Sequence, residues 1–237
     1  MEHQGPTTWL LKLPLLPHSE EYLVFNGSII VFLAILVFSL IANAAIRKNG
    51  NALLIPSRKF SIATVADLLV EGLYNLVTGV LGHHGEEHFS LIAALFIFVW
   101  FSNLFGLIPL SSPPTNSVDT TFALGITSFL YYNISGIRSH GLANYGKHFL
   151  MGLGIFGLPI AFFELISHVI RPVTLGLRLM INMHIDHELA RSFGEIFAWL
   201  LPVPLLLFGV LVCTIQAFLF AILTTVYVQM ATEHEEH

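Results

Sequence analysis

Arg178 is the residue whose surroundings most constrain its chemistry. It stands in TLGLRLMINM among apolar neighbours, with no acid within one helical turn. A charge at the centre of a membrane span costs at least about 2.5–3.5 kcal/mol. A guanidinium cannot escape that cost by losing its proton, because its pKa exceeds about 12. Its partner must therefore come from another helix or another chain. The same stretch carries Glu164, Arg171, Asn182, Asp186, His187, Glu188 and Arg191. At about 100° per residue, Glu164 and Arg178 fall within about 40° of one face, with Arg171 midway and Asn182 one turn beyond. His187 falls on roughly the opposite face. Two polar faces on one membrane helix suit an element that meets a partner on one side and water on the other. Histidine, with a reference pKa near 6.5, is suited to passing protons, and Asp186 and Glu188 flank it. Plainer readings stand beside these. Arg171 and Arg191 can snorkel to an interface or pair locally, and Glu164 can be the partner of Arg171 two turns away.

The elements that must position these residues follow from composition. Of 237 residues, 55% are hydrophobic and 11% charged, against about 25% charged in a soluble domain. That is too little polar surface to cover a water-exposed globule. The net charge of -5 and the lack of a basic stripe argue against nucleic acid. The single cysteine, Cys213, excludes an internal disulfide and reads as a small buried hydrophobe.

A spanning helix needs about 20 mostly apolar residues. Residues 1–21, with an acid at position 2, two prolines in their apolar part and no small-residue cleavage site, read as an outer segment of the mature protein rather than a signal peptide. The first span is 22–46. The cations Arg47, Lys48, Arg58 and Lys59 follow and belong on the cytoplasmic side. Residues 60–82 place Asp67 and Glu71 on one face and read as an amphipathic helix along the membrane or against a partner. The second span is 89–109, ended by proline, and the third is 120–137. A long polar-bearing helix covers 149–195, the last helix covers 196–232, and the acidic tail 233–237 is cytoplasmic. The fold class expected is all-α: one polytopic membrane domain with about five transmembrane helices and one amphipathic interfacial helix. The last run, uncharged over 196–232, is too long for an upright span and predicts a strong tilt.

Four segments carry a specific resemblance. RPVTLGLRLMINM (171–183), the tail from Gln216, FVWFSNLFGLIPL (98–110) and PTNSVDTTFALG (114–125) together resemble subunit a of bacterial F-type ATP synthases over residues 60 to 237. The resemblance makes Arg178 the essential stator charge. It also places Asn182, Gln216, His187, Glu188, Asp186, Glu164, Asp119 and Asn103 along a proton pathway. It implies two offset aqueous half-channels that do not meet, and a ring of subunit c helices whose carboxylates are neutral in lipid. Arg178 would favour the ionised carboxylate as it passes and hold the half-channels apart. The last two helices would form a tilted hairpin facing that ring, with peripheral-stalk subunit b and the bilayer as further partners. The transported ion is expected to be the proton rather than sodium, with no cofactor or metal. The place is the bacterial inner membrane, N-terminus outside and C-terminus cytoplasmic. The resemblance implies a non-catalytic subunit of an enzyme complex, and the sequence has no GxxxxGK[ST] nucleotide loop.

Some positions depart from the family pattern. Met180 and Ile181 replace a Phe-Gly pair, which puts close packing there in doubt. Gly209, seven before Gln216, stands where relatives often carry His or Glu, which raises the weight on Asp186, His187 and Glu188. Asp119 and Ser117 exchange the family's usual Asn and Asp. Two other readings compete. A secondary transporter fits the intramembrane charges but lacks the duplicated halves common there. A di-metal enzyme fits His83, His84, His88, Glu86, Glu87, His184 and His187, although the first cluster reads more simply as a solvated loop.

Overall fold

The computed structural model describes residues 23–49, 62–82, 85–108, 111, 113–141, 157–196 and 202–232. For some helical residues, Glu164, Asp186, His187 and Arg191 among them, only the backbone is described. The N-terminal segment, His83, His84 and the acidic tail lie outside the described residues.

The described residues form six α-helices: α1 (Leu23–Asn49), α2 (Ile62–Leu81), α3 (Gly85–Gly106), α4 (Val118–His140), α5 (Gly157–Ile196) and α6 (Pro202–Thr232). A short 3-10 turn, Pro114–Asn116, precedes α4. The chain is an all-helical, polytopic membrane protein. Among the described residues, four helices are long and apolar enough to cross a membrane, over Phe25–Ala44, Thr64–Leu81, Gly85–Gly106 and Leu206–Thr232. This set includes α2, which the sequence sets apart as interfacial. It omits α4, diluted by Ser, Thr, Tyr and Asn, and α5, which carries the charges.

The helix ends follow local chemistry. α3 stops at Gly106 rather than 109, because the backbone tightens into turns in which Leu107 and Ile108 N–H groups donate to Leu104 and Phe105 O. The Ser111 hydroxyl also donates to Phe105 O at 2.7 Å. α6 begins on Pro202, a residue suited to a first helical position because it has no N–H to leave unpaired. Its 31 residues span about 46 Å at 1.5 Å per residue. Gly82 adopts φ 59, a left-handed conformation that costs glycine little, and Tyr74 Oη donates to Glu86 Oε1 across the turn at 2.9 Å.

α2 buries Ala66, Leu73, Val77 and Leu81, one stripe at helical spacing, and leaves Asp67, Leu68, Val70 and Glu71 exposed. It packs on α3 and α6, while α1 lies against α3 and α2. The long α5 packs mainly on α4, and α6 fills the space between α3 and α4. One apolar core joins these helices through Leu73, Phe96, Tyr132, Leu175, Leu179 and Phe220.

The α4–α5 contact is backbone on backbone. A Cβ on Gly125 would stand 2.5 Å from Pro172 O, and one on Gly176 would stand 2.9 Å from Thr121 O. Small residues at such crossings let membrane helices gain close packing where the hydrophobic effect gives no drive. The family's Phe-Gly position is not a contact of this kind, since Ile181 is 48% exposed. The close approach is made one and a half turns earlier, at Gly176.

Candidate functional site

α5 and α6 run antiparallel, and two side-chain rungs join them. Asn182 Nδ2 donates to Gln216 Oε1 at 2.7 Å. Eleven residues back along α5, the Arg171 guanidinium carbon lies 5.2 Å from the centroid of the Tyr227 ring, eleven residues on from Gln216. Equal steps on both helices mean one register holds across three turns. Arg171 is half-buried and a cation held over an aromatic face gains electrostatic energy there. Its observed neighbour is thus an aromatic ring on α6. The Glu164 side chain, expected as its partner, lies outside the described residues.

Arg178 sits between the two rungs and is exposed. It makes no hydrogen bond or ion pair with any described residue. By the α5–α6 register, the α6 residue at its level is Phe220, which is 1% exposed. The charge therefore stands at the outer edge of a closed apolar seam, on the side of α5 that the protein leaves uncovered. Ile181, Leu177 and Ile170 share that uncovered side.

Asn182 and Gln216, expected to support the arginine, are brought together, and their bond is made to each other. Gln216 is 4% exposed, so its amide is committed to this bond. Asn103 is buried near the end of α3 and accepts from Thr115 Oγ1 at 2.9 Å, which pins the 3-10 turn to α3. Asp119 is exposed in the first turn of α4, where a carboxylate faces the positive end of the helix dipole. Glu188 is exposed on α5. Asp186 and His187 are helical in backbone, but their side chains lie outside the described residues. At Gly209, a Cβ would stand 2.6 Å from Leu107 Cδ2. The place of the missing acid or histidine is filled by Leu107.

A polar cluster that sequence reasoning missed lies where α4, α5 and α6 meet. His168 is buried and its Nε2 lies 2.9 Å from Asn133 Oδ1. The Asn133 amide nitrogen is committed to Phe129 O at 2.7 Å, so Oδ1 is the acceptor and His168 Nε2 the donor. Pro172 lacks the N–H that would bond His168 O, and the Tyr132 hydroxyl points at that carbonyl at 3.5 Å. Tyr132 also packs against the Tyr227 ring, which carries Arg171. Nearby, Ser128 and Thr224 hydroxyls bond across α4 and α6 at 3.0 Å. The signal that could have found this cluster is Pro172 itself, inside a helical pattern four residues after a histidine.

The histidine–glutamate segment also gains a role. Glu86 and Glu87 occupy the first turn of α3, and His88 Nδ1 lies 2.8 Å from Tyr131 Oη on α4. These contacts tie α2, α3 and α4 at one end. Among the described residues, no three His, Cys, Asp or Glu side chains gather as a metal site.

The sequence is similar to that of known proteins. A family profile described as "ATP synthase A chain" matches residues 27–229. ATP synthase subunit a of Bdellovibrio bacteriovorus is 36% identical over 228 residues, covering 96% of this chain and 98% of the relative. That of Trichlorobacter lovleyi is 42% identical over 217 residues, covering 91% and 88%. ATP synthase subunit a 3 of Pelobacter propionicus is 46% identical over 169 residues, covering 70% and 72%. With a matching profile over most of its length and relatives that align nearly end to end, the chain belongs to the ATP synthase subunit a family.

Proposed function

We propose that this chain is the proton-translocating stator subunit of a rotary ATP synthase. The observation that carries this reading is Arg178: a permanent cation, exposed on an apolar face, between the Asn182–Gln216 and Arg171–Tyr227 rungs. A cation so placed calls for an external anion, and a ring of subunit c helices with one carboxylate each would bring one after another. In lipid each carboxylate is protonated, since the ion is costly there. Beside Arg178 the ionised form is favoured by direct charge pairing. The proton leaves through one aqueous half-channel and is replaced from the other. Each proton crossing the membrane yields about 2.3 kcal/mol per 100 mV, which ring rotation passes to the catalytic head.

In this reading Glu164 serves one half-channel, while Asp119, Asp186, His187 and Glu188 serve the other with Asn103, Asn182 and Gln216. Leu107 beside Gly209 closes one family relay position and shifts that duty to the Asp186–Glu188 segment. The ion is the proton rather than sodium. The partners are the c-ring, peripheral-stalk subunit b and the bilayer. The location is the bacterial inner membrane, with the N-terminus outside and the C-terminus cytoplasmic.

The test is ATP-driven proton pumping into inverted vesicles carrying Arg178→Ala, with complex assembly checked in parallel. Assembled complex without pumping supports the reading. Normal pumping refutes it and reopens the transporter reading.

A further inference from the structure

α5 carries a proline in its interior, Pro172. A proline there removes the bond to the carbonyl four residues back, and its ring crowds that carbonyl. Sharp bends in helices gather at such points. The break falls within the stripe that carries the charges, next to Arg171 and six residues before Arg178. Six residues are about 9 Å of helix, so a swing of about 6° at the break moves the Arg178 backbone by about 1 Å.

α4 grips α5 on both sides of this point. Before it, His168 enters a socket made by one face of α4. The Phe129 and Tyr132 rings lie 5.2 and 5.3 Å from the His168 ring, centroid to centroid, and His168 Nε2 donates to Asn133 Oδ1 at 2.9 Å. Positions 129, 132 and 133 are neighbours on a helix surface. The His168 carbonyl is the one that an N–H at position 172 would bond, and the Tyr132 hydroxyl points at it from 3.5 Å. At the break and beyond it, backbone meets backbone. Gly125 lies against Pro172 O and Gly176 against Thr121 O, with no room for a Cβ at either. α6 reaches the same stretch through side chains, in the Arg171–Tyr227 and Asn182–Gln216 rungs, which can bend where a backbone contact cannot.

We infer that α4 splints the proline break of α5. His168 in its socket holds one limb, the Gly125 and Gly176 contacts hold the other, and Arg178 is thereby kept at one height and angle. The inference rests on the stator reading and deepens it. A fixed cation and a carboxylate moving past it pair productively over a narrow range of geometry, and a misplacement of about 1 Å can cost about a hundredfold in rate. His168 and Asn133 are positioning residues that act through Arg178.

The test is epistasis with the proline. It uses inverted vesicles carrying the whole complex, with ATP-driven pumping expressed per assembled complex. His168→Leu removes the donor from the socket and is expected to lower pumping severalfold. His168→Gln, which keeps an N–H near the Nε2 position, is expected to restore most of it. Pro172→Ala alone closes the break and is expected to pump like wild type. The double variant, His168→Leu with Pro172→Ala, is expected to regain wild-type pumping, because an unbroken helix needs no splint. A defect caused by lost packing would persist in the double variant. Leu73→Ala, in the buried stripe of α2, is the control, and Pro172→Ala should leave its defect unchanged. Asn133→Leu, combined with Pro172→Ala in the same way, gives the same comparison should His168→Leu fail to assemble. The inference is overturned if His168→Leu pumps normally, if Pro172→Ala fails to rescue it or rescues Leu73→Ala equally, or if Pro172→Ala itself abolishes pumping. The Arg178→Ala assay decides the stator reading on its own, so failure of that reading and failure of the splint are told apart.

Discussion

Replacing Gly125 with alanine adds one methyl group and should disturb the whole α4–α5 contact. The new Cβ would lie 2.5 Å from Pro172 O, where ordinary contact begins at 3.4 Å. The obstacle is backbone, so no side-chain rotation relieves it. α4 and α5 must part by about 0.9 Å at this point. If they part as rigid rods, the His168–Asn133 bond stretches from 2.9 Å to near 3.8 Å, beyond hydrogen-bond range. Overpacking of this kind costs about 1–3 kcal/mol, and a hydrogen bond between membrane helices averages about 0.6 kcal/mol. The expected loss is about 1.6–3.6 kcal/mol. Gly72→Ala and Gly79→Ala are the matched controls, because nothing lies within 4 Å of a Cβ at either. There the same methyl should be neutral or add about 0.8–1 kcal/mol of helix propensity. Heat challenge of the complex in mild detergent, followed by its recovery on a native gel, reads the difference. ATP-driven pumping reads whether α5 has shifted Arg178. Gly125→Ala complexes as heat-resistant and active as the controls would refute the backbone contact and the α4–α5 register built on it.

Two further outcomes follow from single contacts. Asn182→Leu and Gln216→Leu remove the two ends of one 2.7 Å bond, so their effects on heat stability of the complex should not add. A coupling between about 0.6 and 1.7 kcal/mol is expected in a double-mutant cycle, and strict additivity would mean the bond is absent. Gly209→His should lower assembly by driving the new side chain into Leu107, and Leu107→Ala in the same chain should restore it. Failure of that rescue would show that something other than Leu107 fills the position.

The sequence was readable where a property is local. Continuous apolar runs bounded by proline, glycine, asparagine or charge pointed to helices where α1, α3, α4 and α6 lie, with the last expected from 196 and described from Pro202, since a helix's ends depend on neighbouring chemistry. The stripe through Arg171, Arg178 and Asn182 was also legible, because helical geometry alone fixes it. What each member of the stripe touches was not. For Arg171 the pattern offered an interface or Glu164 as its neighbour, and it gave no sign of the Tyr227 ring over which Arg171 lies, a residue 56 positions away whose aromatic face carries no signal in a charge pattern. Asn133 and His168 are 35 residues apart, and only the antiparallel pairing of α4 with α5 makes them neighbours. Glu86 and His88 read as a loop that could bind metal. Their contacts with Tyr74 and Tyr131 depend on a reversal at Gly82 that brings α3 back along α2.

The distribution of polar groups in the hydrocarbon-facing body argues for the role of Arg178 independently of kinship. A membrane interior demands that polar groups be satisfied within the protein, and most here are satisfied in one of two ways. Thr127, Thr214, Thr225 and Thr232 return their hydroxyls to the carbonyl four residues back at 2.7–2.8 Å, a bond internal to one helix. Asn182, Asn133, Ser128 and Trp100 reach across to a second helix. Arg178 falls in neither group. It carries a charge that cannot be shed, and among the described residues it finds no partner, although Arg171 two turns away on the same stripe is housed against an aromatic ring. Ser102 Oγ and the Asn26 and Asn116 side-chain oxygens are buried without a partner among the described residues, but Arg178 alone of these carries a charge, and on the proposed stator reading an anion from outside the chain completes its site. Reversing the charge should therefore be worse than removing it. Arg178→Glu is expected to repel the arriving carboxylate and abolish both pumping and passive ring conduction, whereas Arg178→Ala abolishes pumping alone. Equal passive conduction in the two variants would show that the outside partner is not an anion.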